Sequence, residues 1–63
     1  MNIEERIERL ERLEKLRINH KRLLEFGWDE KIVARELAFE KDTSIKELKE
    51  KIEDEISTIE YEF

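Results

Sequence analysis

"ERIERLERLEKL", residues 5–16, repeats a unit of acid, base and aliphatic residue four times. An α-helix has 3.6 residues per turn, so each step of three residues turns the aliphatic side chain back by about 60°. The row Ile7, Leu10, Leu13 and Leu16 therefore spreads over half the circumference of a helix. We expect more than one neighbouring helix to be needed to cover this row.

The composition predicts helices and excludes several kinds of site. The 63 residues include no Pro and one Gly, and 49% of them are charged, which is typical of long helices. Cys is absent, which excludes disulfides and thiolate zinc sites, and a single His cannot form an imidazole cluster. We therefore expect neither a metal nor a cofactor. No apolar run is long enough for a membrane span or a signal peptide, so we expect a soluble, intracellular protein.

Turn and capping residues divide the chain into three helices within a single domain, residues 1–63. The first is predicted at about 3–26, followed by Gly27 in the left-handed conformation. Asp29 is a good N-cap for a second helix at about 29–41. Ser44 and Glu47 fit a capping box that starts a third helix at about 44–62. The predicted fold is all-α, with a long, a short and a long helix.

A second interpretation joins helices two and three. Positions 34, 38, 41, 45, 48, 52, 55 and 59 keep a 4-3 spacing without interruption, which is compatible with one continuous helix and a helical hairpin. Hairpins of this size commonly pair into four-helix bundles. In both interpretations part of the first helix stays uncovered, so we expect a homodimer or higher homo-oligomer. The residues expected to mediate self-association are Ile7, Leu10, Leu13, Leu16 and Ile18.

The second helix carries apolar residues on two faces, which predicts that it is sandwiched between neighbours. One face contains Trp28, Ile32 and Phe39. The other contains Val33, Ala34, Leu37 and Ala38.

Charge is distributed unevenly along the chain. Residues 1–27 hold seven bases and six acids, whereas residues 28–63 hold six bases and twelve acids. The segment "EDEISTIEYEF", residues 53–63, is acidic throughout, and "KLRINHKR", residues 15–22, is basic. If the first and third helices run parallel, these segments lie at the same end and complement each other.

Within the first helix, acid and base recur four residues apart in the favourable order, with the acid first. The expected pairs are Glu5–Arg9, Glu8–Arg12 and Glu11–Lys15.

These features favour a small, non-enzymatic protein–protein interaction module, such as a regulatory, adaptor or inhibitor subunit. Its acidic C-terminal end would dock on a basic partner surface. The residues expected to contact the partner are Glu53, Asp54, Glu55, Glu60, Tyr61, Glu62 and Phe63. His20 has no Ser/His/Asp or metal set near it in sequence, and the acidic pair Glu40 and Asp42 lies on a charge-rich surface, so no catalytic residue is predicted.

The alternative function rests on a motif. The stretch "VARELAFEKDTSIKEL", residues 33–48, resembles a helix-turn-helix, with Ala38 where the turn Gly usually stands and Ile45 one place late. The resemblance implies a DNA-binding regulator that uses residues 33–52, with Lys46, Lys49 and Lys51 on the recognition helix. The net charge of −5 argues against nucleic acid as the partner.

A second resemblance is to the small sporulation aspartyl-phosphate phosphatases, which are helical hairpins with a Gly–aromatic break and a Ser-Gln-Glu-Leu-Asp motif. Here the break is Gly27–Trp28, and the motif position reads Ala34-Arg35-Glu36-Leu37-Ala38. The Ser and the Asp of the family are both replaced by Ala, so the resemblance implies the hairpin fold without the activity.

Overall fold

A computed structural model describes residues 2–25, 27 and 29–63 of the protein. Its described residues form three helices and no strand: α1 (Ile3–Glu25), α2 (Glu30–Glu36) and α3 (Ile45–Glu62). The predicted all-α, long-short-long fold is confirmed. The single continuous helix proposed as the alternative is wrong, because residues 37–44 leave the helical path between α2 and α3.

α1 and α3 run antiparallel and form the two arms of the molecule. Arg9, near the start of α1, forms an ion pair with Glu62 at the end of α3, whereas His20, late in α1, lies 3.2 Å from Glu53. The expected parallel arrangement is therefore wrong. At 1.5 Å per residue, the seven-residue α2 is only about 10 Å long, so it cannot carry the chain back along α1.

The core lies between the two long helices and is closed at one end by α2 and the connection after it. The buried apolar residues are Leu13, Leu16, Leu23, Val33, Ala34, Leu37, Leu48, Ile52 and Ile59. Phe39 and Ile56 pack against them from the edge. All three helices contribute side chains to this core, so neither α1 nor α3 is stable as an isolated helix without the apolar surface that it buries against the others.

Local side-chain bonds set the helix starts. Glu5 N–H donates to Asn2 Oδ1 at 2.8 Å at the start of α1. Asp29 accepts from the backbone N–H of Lys31, which confirms it as the N-cap of α2. Ser44 accepts from Glu47 N–H in the same way at α3. Each bond satisfies a backbone donor that the first helical turn leaves unpaired.

The left-handed residue predicted after α1 is present, because Gly27 has a φ of 60°. Trp28, which was expected on one face of the second helix, lies outside the described residues, as does Phe26 at the predicted end of the first helix.

α2 ends five residues earlier than predicted. The N–H of Phe39 donates to the carbonyl of Ala34 at 2.8 Å, and the N–H of Ala38 donates to the carbonyl of Arg35 at 3.2 Å. These are the two bonds of a Schellman motif, which needs a left-handed residue just past the helix end. Ala38 adopts that conformation with a φ of 60°. The chain thereby turns Leu37 into the core instead of extending the helix to residue 41.

Only one of the two predicted faces of α2 is covered. Val33 and Ala34 are buried, but Ile32 remains exposed. The face that contains Ile32 and Phe39 lines an open groove of about 500 Å³. Lys31, Arg35 and Lys41 lie at the rim of this groove. α2 is therefore not sandwiched by the described residues.

Two polar residues among those described are buried, Asn19 and Thr43, and Asn19 is the more deeply buried of the two. Asn19 is 1% exposed, its amide Nδ2 donates to the carbonyl of Lys15 at 2.9 Å, and its Oδ1 has no partner. A buried acceptor without a hydrogen bond costs about 1–3 kcal/mol. A buried Asn in a helical seam can compensate for this cost by permitting only one register of the two helices.

The Schellman turn yields a stability prediction. Replacing Ala38 with Gly removes the steric cost of a left-handed L-residue and should raise the free energy of unfolding by about 0.5–1 kcal/mol, after the greater freedom of Gly in the unfolded chain is subtracted. Urea denaturation followed by circular dichroism measures the change. The matched control is Gly27→Ala, where a Cβ would meet nothing within 4 Å, so only the φ penalty acts and stability should fall. A less stable Ala38→Gly variant would contradict the turn assignment.

Asn19→Leu should also stabilise the chain. It removes the unpaired Oδ1, keeps the branching and the number of side-chain heavy atoms, and should raise the free energy of unfolding by about 1–2 kcal/mol. Asn19→Asp is the matched control, because it keeps the shape but buries a charge and should destabilise strongly. Loss of stability on Asn19→Leu would mean that the Oδ1 acceptor is satisfied in solution.

Candidate interaction surfaces

Two arginines of α1 bind acids of the C-terminal segment along one side of the core. Arg12 donates from Nε to Glu55 Oε1 at 2.8 Å and from Nη2 to Glu55 Oε2 at 3.1 Å, which is a two-point, partly buried contact. Arg9 Nε lies 3.4 Å from Glu62 Oε2. Because Glu55 and Glu62 are seven residues apart, they lie on the same side of α3.

The other side of the core has a matching pair of contacts. Arg17 Nη2 lies 3.3 Å from Glu60 Oε2, and His20 Nε2 lies 3.2 Å from Glu53 Oε1. Glu53 and Glu60 are again seven residues apart. The acidic segment is thus held between basic residues of α1 within one chain, although the helices run antiparallel.

These contacts change which carboxylates face solvent without a partner. Four of the seven residues predicted to contact a partner are bound by α1: Glu55, Glu60 and Glu62 form ion pairs with its arginines, and Glu53 lies within hydrogen-bond distance of His20. In contrast, the helical pairs expected for Glu5, Glu8 and Glu11 are absent among the described residues, because Arg9 and Arg12 point across to α3.

The other three residues of the predicted contact set are accessible. Tyr61 is 93% exposed, and Phe63 is half-exposed with the Arg6 guanidinium 5.6 Å from its ring centroid. Asp54 is exposed and forms no ion pair among the described residues.

Asp54 and Tyr61 belong to a row on the side of α3 turned away from the core. Glu47, Glu50, Asp54 and Tyr61, which we call the α3 outer face, recur at steps of three, four and seven residues and are all exposed. Lys46 borders the row at its N-terminal end. The prediction from sequence included only the second half of this face. The spacing of Glu47 and Glu50 relative to Asp54 could have revealed the rest.

The repeat in α1 distributes its aliphatic side chains between inside and outside. Along the row, the exposed fraction falls from 50% at Ile7 and Leu10 to 6% at Leu13 and 0% at Leu16. This follows the 60° step, since each residue of the row turns further toward α3. Leu13 and Leu16 therefore belong to the core of a single chain and cannot mediate self-association as predicted.

The described residues leave most of the opposite side of α1 uncovered. Ile3, Ile7, Leu10 and Leu24 are exposed there and follow one 4-3 spacing with Glu14, Arg17 and Lys21. We call these seven residues the α1 outer face. Ile18, also predicted for self-association, is exposed next to this face. Leu24 was missed, although the same spacing from Ile3 reaches it.

The lysines of the helix-turn-helix alternative do not share one surface. Lys51 lies over the ring of Phe39 at 5.8 Å, on the side where Arg12 also contacts that ring at 5.6 Å. Lys49 and Lys46 are two and five residues away from Lys51, so they project in other directions around α3 than Lys51 does. The connection between α2 and α3 has eight residues, whereas a helix-turn-helix uses three or four. DNA binding stays a prediction with no further support.

Neither a metal site nor a membrane span is found in the described part of the chain. His, Asp and Glu side chains of residues 2–25, 27 and 29–63 do not gather in groups of three that could hold a metal ion. None of the three helices has both the length and the apolar character needed to cross a bilayer.

Comparison with protein-family models, with curated proteins and with solved structures finds no match to this chain. Any function has to be argued from its own surfaces.

The ion pairs differ in burial, so we expect them to contribute different amounts to the free energy of unfolding. Arg12→Gln should lower the free energy of unfolding by about 1–2 kcal/mol, because it removes two charge-assisted bonds and leaves Glu55 partly buried without its partner. Arg9→Gln is the matched control. Its pair with Glu62 is a single, longer contact of 3.4 Å from a half-exposed guanidinium and should contribute less than about 0.5 kcal/mol. Equal losses in urea denaturation would show that Arg12 does not join the arms.

Proposed function

We propose that the protein is a small, non-enzymatic interaction module, a regulatory, adaptor or inhibitor subunit that works inside the cell. It docks on a basic protein surface through the α3 outer face. The observation that carries this proposal is that Glu47, Glu50 and Asp54 have no ion pair among the described residues, whereas Glu55, Glu60 and Glu62 beside them pair with arginines of α1.

The composition of the α3 outer face supports a protein partner. Tyr61 extends almost completely into solvent next to Asp54, two turns earlier on the same side of α3. Tyrosine offers a large contact area at low entropic cost and is enriched among the residues that dominate binding energy. Carboxylates around it steer a basic partner toward the face and orient it.

The partner can be isolated by affinity capture from the native host, identified, purified and titrated against variants. Glu50→Gln with Asp54→Asn should weaken its binding by about tenfold, because two unpaired carboxylates are lost from the interface. Tyr61→Ala should weaken binding by at least as much. Circular dichroism verifies that the helices are retained.

The control is Glu60→Gln with Glu62→Gln, which changes the net charge equally at carboxylates already bound by α1. It should change the affinity by less than about threefold, since screened surface charges away from an interface contribute little. If the control weakens binding as much as the outer-face variant, only net charge matters and the proposed docking face is wrong. A captured partner with an acidic binding surface would contradict the proposal as well.

The proposal includes self-association as a homodimer, through a surface distinct from the α3 outer face.

A further inference from the structure

The α1 outer face presents four exposed aliphatic side chains on one helix: Ile3, Ile7, Leu10 and Leu24. Leu10 and Leu24 are each about half exposed, and Ile3 is 75% exposed. Ile3, Ile7 and Leu10 form an apolar patch at one end of the row and Leu24 lies at the other end, and exposed apolar patches on a helix often mark an interaction site. The row also has the 4-3 spacing of a seam between two helices, because Ile3, Ile7, Leu10 and Leu24 fall on its a and d positions.

The charged residues in the middle of this seam indicate which partner can pack against it, and in which orientation. Glu14, Arg17 and Lys21 fill the positions between Leu10 and Leu24. If two copies paired in parallel, each of these residues would face its own copy, giving three layers of like charge. An antiparallel pair avoids this arrangement, because a positions then face d positions of the other chain.

We propose that two copies of this chain pair antiparallel through the α1 outer face, with residue n opposite residue 31 minus n of the second copy. Glu14 then lies opposite Arg17, and Ile7 lies opposite Leu24. Leu10 lies opposite Lys21, whose aliphatic stem can cover it while the ammonium reaches water. A two-fold axis makes every contact occur twice.

The product is a four-helix assembly in which the two α1 helices pack against each other in the centre and each α3 lies on the outer side of its own α1. The Glu14–Arg17 layers lie next to the axis. Arg17 also contacts Glu60 of its own chain, but that pair is exposed and long at 3.3 Å, and a guanidinium has enough N–H groups for both carboxylates. The α3 outer face stays free in this dimer, so the proposed docking function and the dimer can fail independently.

Charge exchange tests the orientation. Sedimentation equilibrium from micromolar to hundreds of micromolar should show the unmodified chain as a dimer. Glu14→Arg should weaken the dimer by about tenfold or more, because two attractive pairs become repulsive. Adding Arg17→Glu to that variant should restore the affinity to within about threefold, since the charges are then exchanged rather than mismatched. Circular dichroism verifies folding of each variant.

Cross-linking provides a second readout, which the absence of Cys makes simple. A mixture of Ile7→Cys and Leu24→Cys chains should form the mixed disulfide, whereas Ile7→Cys alone should not cross-link to itself. Self-linking of Ile7→Cys would show a parallel pair and overturn the proposal. A chain that sediments as a monomer over the whole concentration range, or a double charge exchange that fails to recover the dimer, would overturn it too.

Discussion

The structure depends on a mismatch between a sequence repeat of three and a helix of 3.6 residues per turn. A helix that carries leucines at every third position cannot bury all of them against one neighbour, because each step turns the side chain by about 60°. α3 covers Leu13 and Leu16, and the same geometry directs Ile7 and Leu10 away from it. The protein thus has a small core for one chain and a second apolar surface on the same helix.

The arginines of the repeat can pair with glutamates of α1 itself or with acids of the neighbouring helix α3, and Arg9 and Arg12 pair with α3. A glutamate four residues before an arginine stabilises a helix by only about 0.2–0.5 kcal/mol. A two-point contact with a partly buried carboxylate on another helix is stronger, because the surrounding protein screens it less than water does. Arg12 accordingly binds Glu55 and lies over Phe39, which ties α1 to α3 and to the connection before it. The glutamates of α1 are left facing solvent as a result.

Two residues lower the stability of the folded chain. Ala38 holds a left-handed turn that Gly would make without strain, and Asn19 places an unpaired oxygen in the core. Asn19 still has a use, because other registers of α1 against α3 would bury its amide against more apolar side chains. The ion pairs on the two sides of the α1–α3 contact also favour the observed register of the two helices, since a shift of one turn would separate each arginine from its acid. The register is thus set by polar residues, while the apolar residues supply most of the stability.

The sequence by itself determined the helix content, the approximate starts of all three helices and the break at Gly27. These features depend on residues within a few positions of each other, as in the bonds that Asp29 and Ser44 form with the next turn. Only the tertiary structure decided that α2 ends at Glu36, that α1 and α3 are antiparallel, and which carboxylates are neutralised. Each of those outcomes depends on whether a local preference or a contact between residues far apart in the chain contributes more free energy. The spacing of residues in a sequence does not give the energy of the distant contact. The same reason explains the candidate surfaces, since a helical pattern shows which residues share a face but not which face a neighbouring helix covers.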